Sequence, residues 1–325
     1  MNSNQEPAIL GVDVGGTKVA VGIVDRDGKI LTQGRKPMIA NSTAEAGFEA
    51  VTNAIDSMIS AAPDGFQSIG ICAPGPLDPK TGVVLNPPNL PCWRNFPLAD
   101  RVAEKYRVPV KVDNDANAAA LAETRWGAAR GFHYVFYATI GTGIGSGIVF
   151  DNKIYHGKTG SAAEGGHQSI DYRGPVCACG KKGCIEILAA GPAIGARARA
   201  ELSAEPSRHS AILDLVQGNI ASVTSEVVGK AYAAGDLVAK EVLLETVELL
   251  TAWLGNVVDM LDPDVLVMGG GVAAMLRPFF DEIKRGLPQW CVNPRVSEIP
   301  LLMAHYGADA GIAGGAALCS ENISS

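Results

Sequence analysis

Apolar residues arrive along this chain in two kinds of run, and the contrast between them predicts most of its secondary structure. Ala8-Ile9-Leu10-Gly11-Val12-Asp13-Val14 and Val19-Ala20-Val21-Gly22-Ile23-Val24 are short, rich in β-branched residues and almost free of polar interruption. Each predicts a buried strand. Gly15-Gly16-Thr17-Lys18 lies between them as a tight turn, so the pair reads as a hairpin. Asp27-Gly28 turns the chain again, into Lys29-Ile30-Leu31. A helical stretch follows around Ala44 to Ser60, then a buried strand at Ser68 to Cys72. The segment from Ala73 to Pro97 holds seven prolines and predicts a long irregular loop, a length that in a compact domain usually serves function. A short helix near Leu98 to Tyr106, a strand at Val108 to Val112 and an alanine-rich helix from Ala116 to about Trp126 complete this half.

The opening pattern then recurs. Tyr134 to Ile140 predicts a strand, Gly141-Thr142-Gly143 a turn, and Gly145 to Phe150 a second strand. With one slipped position, Gly22-Ile23-Val24 falls on Gly147-Ile148-Val149, about 125 residues later. Two unrelated glycine-rich hairpins would give the same local pattern; the recurrence favours duplicated domains. The chain is helical from about Gly191 to Leu261, with a long amphipathic run starting at Asp236. It closes with a strand at Asp264 to Met268, the triplet Gly269-Gly270-Gly271, a helix, a strand at Ile299 to Ala304 and a small-residue helix from Gly311 to Leu318. Hairpins combined with α/β alternation predict an α/β fold with a mixed sheet in each half.

Composition narrows the range of functions. The chain has 325 residues, enough for one large or two ordinary domains, and its net charge of −7 argues against nucleic acid or an anionic membrane as its main partner. No apolar run approaches the roughly 18 residues of a membrane span. Met1 to Pro7 is short and polar, with no signal-peptide core, so a cytoplasmic protein is expected. Seven cysteines, an odd number without an export signal, point away from a disulfide framework. The 38 glycines cluster in loops, where backbone turns tightly or approaches a ligand.

Four groups of residues carry candidate chemistry. Gly15-Gly16-Thr17-Lys18 superficially resembles a P-loop, but the order Thr-Lys is reversed and a strand follows instead of a helix. As a hairpin turn it needs no function. That a second turn, Gly141-Thr142-Gly143, repeats the pairing of Thr with Gly favours phosphate contact through unobstructed N–H groups. Gly269-Gly270-Gly271 follows a strand and opens a helix, which suits a nucleotide base or ribose packed on glycine. Asp113-Asn114-Asp115 lies where a strand gives way to a helix; one capping residue would suffice there, and two carboxylates flanking an amide exceed that need. Phosphoryl transfer from ATP to an alcohol asks for such a strand-end carboxylate to take the hydroxyl proton. Finally, His167, Cys177, Cys179 and Cys184 form a Cys3His set typical of closed structural zinc, in a polar, turn-rich loop with little apolar core of its own. A chance grouping of buried cysteines is the alternative. Glu164 and Glu186 lie just outside the set.

These residues together resemble the ROK family, which groups bacterial sugar kinases with related transcriptional repressors. The resemblance spans nearly the whole chain. It rests on Asp13-x-Gly15-Gly16-Thr17-Lys18, Ala73-Pro74-Gly75-Pro76-Leu77-Asp78, Asn114-Asp115-x-Asn117, Gly141-Thr142-Gly143-Ile144-Gly145, Glu164-x-Gly166-His167, the cysteine loop through Glu186, and Asp262-Pro263 with Gly269-Gly270-Gly271. It implies an actin-like, hexokinase-like α/β fold, duplicated in two domains with the site in the cleft between them. Residues 1–117 with a returning helix in 305–325 would form the small domain, and 118–304 the large one.

The resemblance also implies roles. Asp115 would be the catalytic base; Gly75, Asn89, Asn114, Glu164, His167 and Glu186 would contact the sugar, with His167 also binding zinc. Gly15, Gly16, Thr17 and Lys18, together with Gly141, Thr142 and Gly143, would hold the phosphates. Gly269, Gly270 and Gly271 would meet adenosine, and Asp13 would sit near Mg²⁺. The expected reaction is ATP-dependent phosphorylation of a hexose 6-hydroxyl, glucose first, by a homodimer. N-acetylhexosamine kinase, fructokinase and a non-enzymatic sugar-binding regulator are the alternatives. Two departures bear on the pocket: Ala163 stands where the family usually has glycine, and Ala190 where it often has serine. About eight residues precede the first strand, too few for the repressors' DNA-binding module, so nucleic acid is not expected as a partner.

Overall fold

The computed structural model describes residues 8–62 and 65–320; the expectation drawn from Met1 to Pro7 lies outside the described residues. Contacts divide the chain into two units. One comprises residues 1–137, 147–163 and 305–325, the other 138–146 and 164–304.

The first unit opens with β1 (Ala8–Val14), β2 (Lys18–Val24), β3 (Ile30–Pro37), α1 (Ala44–Ile59) and β4 (Phe66–Ala73). The proline-rich segment is not irregular throughout. Two-residue strands β5 (Leu77–Asp78), β6 (Val83–Val84) and β7 (Phe96–Pro97) make a small antiparallel sheet within it. α2 (Leu98–Tyr106), β8 (Val110–Asn114) and α3 (Asp115–Arg125) follow. β9 (Tyr134–Ile140) and β10 (Ile144–Phe150) each run across a unit boundary, and β11 (Lys153–Ile154) belongs to the first unit.

The second unit holds α4 (Ile185–Ala189), α5 (Gly191–Ala204), α6 (Ala211–Leu215), α7 (Ser225–Ala233) and α8 (Leu237–Leu261). It ends with β12 (Val265–Gly269), α9 (Gly270–Leu276), α10 (Phe280–Gly286) and β13 (Leu301–Met303). α11 (Ala310–Cys319) returns to the first unit.

The repeat read from the hairpins is a repeat of whole sheets. The first sheet runs β3-β2-β1-β4-β8 and the second β11-β10-β9-β12-β13. In both, the outermost pair on one side is antiparallel and that on the other side parallel. The near-continuous apolar runs of β1, β2 and β4 follow from burial on both faces. One face packs on α1 through Val12, Val21, Val51 and Ile55; the other meets α11 through Ile9, Ala20, Ile312 and Ala316. The small residues of α11 let its backbone lie directly on the sheet: a Cβ on Gly11 would overlap the Ile312 carbonyl, and one on Gly70 the Gly315 carbonyl.

The expected cut after residue 117 falls inside α3, which lies wholly in the first unit. α3 is held there by a buried carboxylate. Glu123, 0% exposed, accepts from the N–H groups of His305 at 2.8 Å, Tyr306 at 3.0 Å and Ala128 at 2.8 Å, so it grips the chain at its return. Among the described residues, no helix is long and apolar enough to cross a membrane.

Candidate active site

In the first unit the candidate residues gather at one end of the sheet. Asp13 is the penultimate residue of β1, and its neighbours across the ladder are Ala20 on β2 and Cys72 on β4. The turn after it is closed by the Gly15 N–H donating to the Lys18 carbonyl at 2.9 Å. Gly16 has no room for a side chain, since a Cβ would stand 2.7 Å from the Asn89 carbonyl oxygen; this brings the expected sugar residue Asn89 against the first glycine turn. Thr17 and Lys18 are exposed. Gly75 lies beside Asn114, whose Nδ2 is 3.6 Å from the position of a Gly75 Cβ.

Asn114 and Asp115 sit where β8 becomes α3. The Asn114 Oδ1 caps the helix, accepting from the N–H of Ala116 at 2.9 Å and of Asn117 at 3.4 Å. Asp115 is the first helical residue; it is exposed, and its Oδ1 accepts from the Ala116 N–H at 2.8 Å. Three carboxylates crowd this end. Burial, then the Asp115 charge, raises Asp13 from 3.8 to about 6, against the smaller opposing pull of Lys18 and Arg35. Burial first, then the charges of Asp13, Asp115 and Asp113, pushes the Cys72 thiol well up, so this thiol is inert.

In the second unit a different group comes together. Gly141 N–H donates to the Gly143 carbonyl at 2.9 Å, closing the second glycine turn, and Thr142 is exposed at its tip. Glu186, in the first turn of α4, lies against this turn: its Oε2 accepts from the Ile144 N–H at 2.9 Å. Its Oε1 is 3.9 Å from His167 Nδ1. Glu164 is exposed and precedes the short 3-10 turn Gly165–His167.

The Cys3His set is assembled. The donor atoms of His167, Cys177, Cys179 and Cys184 all lie within 4.8 Å of one another. Cys177 Sγ is 3.7 Å from His167 Nδ1, and the Cys179 and Cys184 sulfurs are 3.6 Å apart. A tetrahedral zinc with Zn–S bonds of about 2.3 Å needs sulfur–sulfur edges of about 3.8 Å, and the Cys179–Cys184 separation of 3.6 Å is close to that edge. Without a cation the thiols oppose one another: burial and then the neighbouring sulfurs push Cys184 up to about 12.

The third glycine segment is also in this unit. Gly270 has φ +87° and no space for a Cβ, which would overlap the Ile140 backbone. Gly271 lines a cavity of about 770 Å³ with Gly141 and Thr142. Gly269 caps α9 and is buried in β12.

The family model for the ROK family matches residues 9–322. The chain belongs to the ROK family. It is 32% identical over 317 residues to the glucokinase of Thermotoga maritima, covering 97% of this chain and 98% of that one. It is 30% identical to the N-acetylmannosamine kinase of Escherichia fergusonii, covering 95% and 97%. Among solved structures, the ROK family glucokinase from Streptomyces griseus, in complex with glucose and AMPPNP, matches with a TM-score of 0.80 at 35% identity, covering 96% of this chain and 98% of that one. The actin-like α/β fold expected of the family is the fold of this chain.

Two sets of residues escaped the motif reading. The cavity beside Gly271 is walled by α5 and α7, with Gly195, Arg199, Thr224, Glu226 and Lys230 among its lining. Only the small residues Gly191, Gly195 and Gly229 on otherwise ordinary helices signalled an open face there. His156 is the other; it contacts Asp113, and nothing in its local sequence marks it.

Proposed function

We propose that this protein is an ATP-dependent glucokinase that transfers the γ-phosphoryl group of ATP to the 6-hydroxyl of glucose, with Asp115 as general base. One observation carries the reading. Asp115 stands exposed on a capped strand-to-helix turn, beside Asp13 and the first glycine turn, in a chain of the ROK family. As the hydroxyl oxygen attacks the γ-phosphorus and ADP leaves, Asp115 takes the hydroxyl proton. That task calls for a carboxylate within hydrogen-bond reach of the alcohol.

The other roles follow each residue's place. Asn114, Gly75, Asn89, Glu164, His167 and Glu186 are the residues we assign to sugar hydroxyls. Gly15 to Lys18 and Gly141 to Gly143 offer N–H groups to the phosphates, and the cavity at Gly269 to Gly271 takes adenosine. Asp13 would face Mg²⁺: burial first, and then the Asp115 charge, disfavours its ionised form, and a divalent cation would offset both. Bound Mg²⁺ supplies neutralisation of the triphosphate. Zinc held by His167, Cys177, Cys179 and Cys184 would order the loop and set His167 and Glu186. All four tetrahedral positions are then filled by protein, which is the pattern of a structural site. We place the enzyme in the cytoplasm, where thiols stay reduced, as the homodimer the family resemblance implies.

The test is ADP release from purified protein and MgATP against glucose, N-acetylglucosamine, N-acetylmannosamine and fructose. Glucose should give the highest kcat/KM. A higher value for N-acetylmannosamine would replace glucose with the substrate of the Escherichia fergusonii relative. Thermal shifts by hexoses without any ADP release would make the protein a sugar-binding regulator.

A further inference from the structure

Asp113 has no role in the proposed chemistry, yet both of its carboxylate oxygens are engaged in the turn that carries Asn114 and Asp115. It is 3% exposed. Its Oδ1 accepts from the Asn114 N–H at 2.7 Å and from Asn117 Nδ2 at 3.2 Å. Its Oδ2 lies 2.6 Å from His156 Nε2, and the His156 side chain is 30% exposed. A buried carboxylate is costly unless hydrogen-bonding groups surround it, and the His156 ring is one of its partners.

The bonds run from His156 to the reactive turn without a gap. His156 fixes Asp113 from one side. Asp113 fixes the peptide between itself and Asn114 and orients the Asn117 amide. Asn117 Oδ1 is buried with no hydrogen-bond partner, so among the described residues that amide takes its orientation from Asp113 alone. Asn114, held at its N–H, then caps α3 and sets the direction in which Asp115 leaves the helix. A displacement of about 1 Å in a base can cost on the order of 10²-fold in rate.

We propose that His156 is a positioning residue for phosphoryl transfer: through Asp113, its imidazole holds the Asn114–Asp115 turn in register with the bound hydroxyl. This rests on the reading of Asp115 as the base. A pair serving stability alone would lower the melting temperature when broken and leave turnover at 25 °C intact.

The experiment compares His156→Ala and His156→Gln with wild type and Asp115→Asn in ADP release, alongside thermal melts. In His156→Ala, kcat should fall by about 10- to 100-fold, while the KM for ATP stays within about twofold because no nucleotide group is touched. His156→Gln places an N–H donor at similar reach and should recover most of that kcat even where the alanine variant is too unstable to assay. Wild-type kcat in folded His156→Ala, or equal losses in both variants that track their melting temperatures, would overturn the proposal and leave the base reading standing. Wild-type turnover in Asp115→Asn would remove both.

Discussion

In the first unit, the residues assigned to chemistry hang from the ends of β1 and β8, where ladder register and a helix cap place them. In the second, Glu164 and His167 lie at a single 3-10 turn and Glu186 at the start of the five-residue α4; between them, among the described residues, strand-like pairing amounts to isolated bridges, Ser169 with Cys184 and Val176 with Lys182. A sheet of the same strand order stands behind each. One site borrows its rigidity from the scaffold; in the other, on the zinc reading proposed above, the four donor atoms within 4.8 Å of one another would supply it. The two therefore fail differently. A substitution at a strand end should disable chemistry and leave the fold intact, whereas a substitution among the cysteines should loosen the fold locally and take chemistry with it.

The largest expected effect tests the first half of that contrast. Asp115→Asn keeps the size and the acceptor that meets the Ala116 N–H, so folding should be preserved. Loss of a general base typically costs about 10²- to 10⁴-fold, and kcat should fall by that much with melting temperature and glucose binding unchanged. A melting temperature that fell with the activity would show that this carboxylate supports structure.

Next comes the cysteine loop. Protein purified without chelators should carry one zinc per chain by elemental analysis, and Cys184→Ser should carry none. With the loop unordered, His167 and Glu186 lose their placement, and turnover should fall by about tenfold or more. Protease cleavage should appear within residues 164–186, where wild type is resistant. A zinc-free Cys184→Ser with full activity would mean that the loop orders itself and that the contrast is mistaken.

How far these regions were legible in the sequence follows the same division. β1, β2 and the later hairpin were legible because burial on both faces leaves long β-branched runs, and only the duplicated sheet order needed the structure. β8 was expected at Val108 to Val112 and lies at Val110–Asn114. Parallel pairing with β4 carries the strand on through Asp113 opposite Cys72 and Asn114 opposite Ala73, and the polarity of those residues hid it. The region from Gly191 to Leu261 was expected helical and is interrupted near Gly218 and Gly235, both at positive φ. The small sheet within Ala73 to Pro97 consists of two-residue strands, which are too short to show a period. The four clustered donors were legible as residue types, since cysteine and histidine spacing is a local signal. The pairing of Asp113 with His156 was not: 43 positions separate them, and only the fold brings them together.

The crowding of carboxylates in the first region gives a third test, on stability and pH. The folded protein raises Asp13 from 3.8 to about 6, so ionising Asp13 is harder in the folded than in the unfolded chain. Its contribution to stability is present below pH 3.8 and is lost as pH rises through about 6. At pH 8, Asp13→Asn should therefore be more stable than wild type by about 2–3 kcal/mol in magnesium-free buffer. The advantage should shrink below pH 6 and vanish near pH 4, about where the unfolded group protonates. Denaturant melts at three pH values decide it. A constant difference across pH would trace the gain to packing and not to charge.

The smallest effect concerns the residue where the chain passes from the first unit into the second. Ala163, immediately before Glu164, has φ +65°. An L-residue in that left-handed region is strained by about 1 kcal/mol or more, and glycine is not. Glycine also widens the unfolded ensemble, which offsets roughly 0.4–1 kcal/mol. The two terms leave Ala163→Gly more stable by about 0.5 kcal/mol, a shift of roughly 1–2 °C in melting temperature, measurable by calorimetry. The sign carries the argument. If glycine destabilises, the alanine methyl makes contacts worth more than its backbone strain, and the segment leading to Glu164 is held by packing. The expected gain would show that the approach to Glu164 carries backbone strain, which the Asn114 turn, with φ −63°, does not.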